Sequence, residues 1–139
     1  QGRRVFSRPP EPMLIQVHNG LANACLIFSL LIAGYSLLIF IRNQSLTPGF
    51  FGALVIAELL FLAQTIVGVI LSFQGGEPAR GWVHYLYGVV NIISLPGLYA
   101  ITRGRDSRLE ALYYFAMSIF LAGIALRATE TALVMLPGL

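Results

Sequence analysis

Four apolar runs, each long enough to cross a bilayer, take up most of the sequence and leave little else to fold. Residues 21–41 carry no charge, residues 50–73 carry only Glu58, residues 82–102 hold His84, and residues 111–136 run unbroken as far as Arg127 and Glu130. A helix rises about 1.5 Å per residue, so about 20 apolar residues cross a hydrocarbon core about 30 Å thick. Within lipid such a helix satisfies its own backbone donors and acceptors. The connections at 42–49, 74–81 and 103–110 are short, which makes consecutive helices antiparallel neighbours. The expectation is an all-α fold, an antiparallel bundle of four transmembrane helices without a soluble domain. The spans fall at about 19–41, 50–73, 82–102 and 110–136 within one domain over 13–139. Residues 1–12 read as an extended tail, with Arg3, Arg4, Arg8 and three prolines. Pro12 suits a first helical turn, so the first helix is expected to start in the interface and run through His18 into the membrane.

Composition narrows the class further. Apolar residues make up 57% of the chain and charged residues 11%, with a mean hydropathy of +0.77. A soluble globular domain carries roughly 25% charged residues. The single cysteine, Cys25, excludes a disulfide scaffold. The net charge of +3 comes from nine arginines scattered without a block, which argues against nucleic acid as a partner. The expected partners are the lipid bilayer and other membrane-protein subunits, met through helix faces and the tail. Val5 and Phe6 lie between Arg3, Arg4 and Arg8, a pattern suited to an aromatic plug with arginines on acidic groups or lipid phosphates.

An even number of spans puts both termini on one side of the membrane, together with the second loop. This is called the histidine side below. Arg42, Arg103, Arg105 and Arg108 lie on the opposite, arginine side, directly against the spans. The positive-inside tendency then makes the arginine side cytoplasmic and the termini non-cytoplasmic, in a membrane such as the bacterial inner membrane.

Three of the helices carry a stripe of small and polar residues. His18, Ala22, Cys25, Ser29, Ala33 and Ser36 recur at steps of three and four, as do His84, Gly88 and Asn91, and the fourth helix gives Ala116, Gly123, Arg127 and Glu130. Small residues let helices approach, so these stripes are expected to point inward. Counting about 20 residues from each flanking arginine puts His84 and Arg127 near the histidine side and His18 about one turn outside it. Glu130 follows Arg127 at i,i+3 and is placed to pair with it. Glu58, Asn91, Ser94, Ser29 and Ser118 fall near the midplane by the same count. A bare carboxylate there is costly, so Glu58 is expected to be neutral or paired inside the bundle, with Asn91 preferred as its partner over Ser94. Pro96 removes the donor to the Ile92 carbonyl, which predicts a bend and a polar notch at that depth.

The sequence has no nucleotide-binding glycine motif, no HExxH and no CxxC. The only aspartate, Asp106, lies on the opposite side from both histidines, so no Ser–His–Asp set exists and no catalytic residues are assigned. One constellation remains. His18 and His84 begin two helices that run the same way, each with a small residue one turn deeper. Two such imidazoles are what a b-type haem needs as axial ligands, and a His-ligated pigment or a quinone would use the same groups. Arg80 and Arg127, with Glu130 beside them, are the supporting polar residues at that surface. Aromatic-belt anchoring beside Trp82, Tyr85 and Tyr87 accounts for the same histidines without a cofactor.

The stretch His84-Tyr-Leu-Tyr-Gly88, the run Leu121-Ala-Gly-Ile-Ala-Leu-Arg-Ala128 and the loop Arg103-Gly-Arg-Asp106 resemble an uncharacterised group of bacterial four-helix integral membrane proteins. The resemblance covers most of the membrane part and implies the fold without an activity. The histidine arrangement is also similar in style to small membrane cytochromes b, which typically use more histidines. The leading functional expectation is an accessory or structural subunit of a larger electron-transport complex, respiratory or photosynthetic. A His-ligated haem, pigment or quinone carrier is the alternative. A small transporter or proton-handling protein using Glu58 and Asn91 comes third.

Overall fold

The computed structural model describes the backbone of residues 12–74 and 81–133, and the side chains of residues 13–74 and 81–128. Four helices follow in order: α1 (Pro12–Ile41), α2 (Pro48–Phe73), α3 (Trp82–Thr102) and α4 (Arg108–Leu133). Each is long and apolar enough to cross a membrane, and the chain is an integral membrane protein. The tail at 1–11 lies outside the described residues, and so does its expected docking role.

α1 begins at Pro12, the residue expected in its first turn. Two other helix starts differ from the sequence expectation, each for a local reason. α2 begins at Pro48 because Thr47 caps it, its hydroxyl accepting from Phe50 N at 3.2 Å, with proline filling the first turn. α4 begins at Arg108 because Ser107 and Glu110 form a serine-x-x-glutamate pair at the helix start. Ser107 Oγ donates to the Glu110 carboxylate, and Ala111 N bonds Ser107 O at 3.3 Å.

The helices close a ring in which α1 meets α4 and α2, while α3 meets α4 and α2. No backbone contact joins α1 to α3, so these two lie on a diagonal. The α1/α4 contact is the most extensive and α2/α3 the least. Small residues explain the close pair: Ser29, Ala33 and Ser36 of α1 and Ala111, Ser118, Ala122 and Ala125 of α4 are all buried. The hydroxyls of Ser29 and Ser36 turn back onto Cys25 O and Ile32 O at 2.7 and 2.6 Å, so they burden the core with no unmet donor.

The arginine side is firmly built. Phe50 is fully buried and its ring lies 5.4 Å from Tyr35, 6.0 Å from Phe51 and 5.5 Å from Tyr114, while Phe51 stacks edge-on against Tyr99 at 5.8 Å. Beyond this cluster the first and third loops are tied directly, Leu46 N donating to Asp106 O at 2.7 Å. Arg108 donates to Phe40 O at 2.8 Å while its guanidinium lies 4.0 Å from the Phe40 ring centre. Arg105 pairs with Glu110 at 3.0 Å. Gly104 turns the loop at φ +68°, and a Cβ there would sit 2.9 Å from the Tyr99 hydroxyl. The Tyr99 ring is half exposed and can swing aside, so Gly104→Ala is expected to cost only the left-handed penalty, about 1 kcal/mol. Thermal unfolding in detergent checks this; a loss several times larger would mean that Tyr99 is held in place.

Candidate functional site: a histidine pair across the bundle axis

Contacts between neighbouring helices fix the depth of each polar residue. Tyr35 meets Phe50, and His18 meets Gly68, so α1 and α2 keep one antiparallel register along their length. Phe51 against Tyr99, Thr65 against Gly88 and Ser72 against Tyr85 set α2 and α3 antiparallel as well. Exposed Trp82 and Tyr85 mark one end of this frame, and exposed Tyr35, Tyr99 and Tyr113 the other. In this frame His18 and His84 are level with each other and with Gly68. The expectation that His18 lies a turn outside the membrane is therefore corrected. Its cause is the last turn of α1, which carries Arg42 past the aromatic girdle on the arginine side, so a count back from Arg42 begins too far out.

The two rings are 6.2 Å apart, centre to centre, and inclined at 59°. Because α1 and α3 share no backbone contact, the imidazoles reach toward each other across the bundle axis. Gly68 provides the room: a Cβ there would stand 3.2 Å from His18 Cε1. The His18 ring faces the backbone carbonyl of Gln64, and the His84 ring that of Ala128. Such carbonyl contacts fix ring orientation and tautomer. His18 Nδ1 is fully buried with no hydrogen-bond partner.

More unmet polar atoms lie below the pair. Gln64 Oε1, Asn91 Oδ1 and Glu58 Oε2 are each buried without a partner. The expected Glu58–Asn91 hydrogen bond is absent, because the α2/α3 register sets Phe61 opposite Asn91 and leaves Glu58 about one turn toward the arginine side. Ser94, level with Glu58, spends its hydroxyl on Val90 O at 2.6 Å. That bond goes neither to Glu58 nor to the Ile92 carbonyl ahead of Pro96. With its Oε2 unpartnered, Glu58→Gln is expected to leave the detergent melting midpoint unchanged or slightly raised. A fall of many degrees would show that the carboxyl is held by a bond this arrangement lacks.

Arg127 is exposed on α4, next to the Ala128 carbonyl that His84 faces. Arg80 lies outside the described residues, and of Glu130 only the helical backbone is described, so the expected Arg127–Glu130 pair lies outside them as well. Gln64 was not singled out from the sequence. Its signal was available, since a carboxamide four residues before Gly68 shares a side of α2 with it.

Among the described residues no group of three or more His, Cys, Asp or Glu could hold a metal ion. A metal bound by this pair alone must bring its other ligands with it, as iron in a porphyrin does. Two imidazoles on opposite sides of one iron, with bonds of about 2 Å, have ring centres roughly 6 Å apart. The 6.2 Å separation of the pair matches that distance. The chain matches no protein-family model, no curated protein and no solved structure.

Proposed function

We propose that the chain is a membrane electron carrier that holds a b-type haem between His18 and His84. The single observation that carries this reading is the pair of half-buried imidazoles 6.2 Å apart on diagonal helices. Support comes from the unpartnered His18 Nδ1 and from Gly68, which keeps the ring's neighbourhood clear. The haem would supply one-electron redox chemistry. The protein residues would hold the iron, exclude lipid and water, and place Arg127 near the propionate level. The purified protein is expected to show a Soret band and a sharp α band in the reduced-minus-oxidised spectrum. A colourless preparation that takes up no haemin would overturn the assignment.

A second reading, an accessory subunit of an electron-transport complex in a membrane such as the bacterial inner membrane, is compatible with the first. It rests on how short the connections between the four helices are. In that setting the arginine side is cytoplasmic, because Arg42, Arg103, Arg105 and Arg108 lie against it. Deleting residues 1–11 is then expected to weaken co-purification with partner subunits while leaving the bundle folded. Unchanged co-purification would remove the docking role of the tail.

A further inference from the structure

The outward face of α1 carries polar groups where none belongs in a lipid-facing helix. Asn19 and Asn23 are exposed, on the side opposite the buried Cys25, Ser29 and Ser36. Stepping five residues inward from His18 puts Asn23 level with Ala63 of α2. That is about 7 Å deeper than the histidine pair and roughly 10 Å deeper than Trp82. A lysine can stretch its charge to the interface from such a depth; an asparagine is too short. Neither carboxamide has a hydrogen bond to the described residues. Left against acyl chains, the Asn23 carboxamide would keep two donors and an acceptor unsatisfied, and Asn19 lies one turn nearer the interface on the same side.

We propose that two copies of this chain pair in the membrane along the outward face of α1, joined by hydrogen bonds among Asn19, Asn23 and their symmetry mates. A partner must offer a donor and an acceptor at the same depth as Asn23. A second copy in the same orientation does so by construction, since a two-fold axis along the membrane normal brings each residue beside its own equivalent. A carboxamide is self-complementary, giving one N–H and accepting one in return. The spacing agrees with this arrangement. Gln16, Gly20, Asn23, Ile27, Leu30 and Gly34 alternate steps of four and three, the period of a seam between two parallel helices, and all six are exposed. A Cβ built at Gly20 or Gly34 meets nothing within 4 Å, so two backbones can approach there. This pairing does not depend on haem.

The test uses the full chain in lipid bilayers, with donor and acceptor dyes on a C-terminal tag. Energy transfer is expected to rise with the protein-to-lipid ratio. The double variant N19L/N23L should need about tenfold more protein per lipid for the same transfer, while N23Q should behave as wild type. The substituted side chains point away from the core, so the melting midpoint should stay in place. As an independent measurement, single cysteines at 20, 23, 27 and 30 should cross-link between copies under oxidation, and cysteines at 22 and 26 should not. The pairing is overturned by wild type that stays monomeric at every density, or by cross-linking without this period. It is equally overturned if N19L/N23L keeps full transfer, or if another chain occupies the face in place of a second copy.

Discussion

Replacing either His18 or His84 by alanine is expected to abolish the Soret band of the purified protein, while helical content stays that of wild type. The effect should be near complete for each single variant, because two axial nitrogens act as a unit and no other histidine exists to substitute. Gly68→Leu should act on the same band from the neighbouring helix α2. A Cβ alone would stand 3.2 Å from His18 Cε1, and the larger side chain drives the imidazole off the bundle axis. Loss in the histidine variants with retention in Gly68→Leu would mean that His18 has freedom the packing does not suggest. An unchanged band in His18→Ala or His84→Ala would remove that residue from the ligand set.

Phe50→Ala should cause the largest loss of stability, about 3–5 kcal/mol. The ring is fully buried and touches Tyr35, Phe51 and Tyr114 from α1, α2 and α4, so its removal opens a cavity that rigid neighbours cannot close. Against a total stability of about 5–15 kcal/mol, that loss should bring the variant close to unfolding in mild denaturing detergent. Phe73→Ala serves as control: that ring is 87% exposed, and its removal should change the unfolding midpoint little. Equal midpoints for Phe50→Ala and wild type would show that the aromatic cluster does not organise the arginine side.

The helices were legible because a membrane leaves the backbone so few options, and apolar run length then reads almost directly as a span. Helix ends were harder. Thr47-Pro48 and Ser107-x-x-Glu110 are ordinary start signals, yet apolar counting passes over them because both precede the first run of large side chains. The inward stripe of α1 followed from periodicity alone. Which polar groups would meet did not. Glu58 and Asn91 were matched by depth to about one turn, but a hydrogen bond requires finer agreement, and the position of Phe61 decides against it. Gln64 was passed over because a single carboxamide barely dents an apolar average. Asn19 and Asn23 were illegible for another reason: depth and periodicity single out polar residues on inner faces, and these are exposed on the outer one.

The tie between Leu46 and Asp106 has a mechanical consequence. With both loops on the arginine side joined and the aromatic cluster packed behind them, that end works as the pivot of a pair of tweezers. A rotation of about 5° there separates points roughly 30 Å away by between 2 and 3 Å, enough to matter where α2 and α3 touch least. On the proposed haem reading, the bundle would assemble with its histidines unliganded and take up the flat ring afterwards from the far end. Amide exchange should follow the same gradient, slowest near Phe50 and fastest toward the first turns of α1 and α3, and slow further at those turns once the ring is in place.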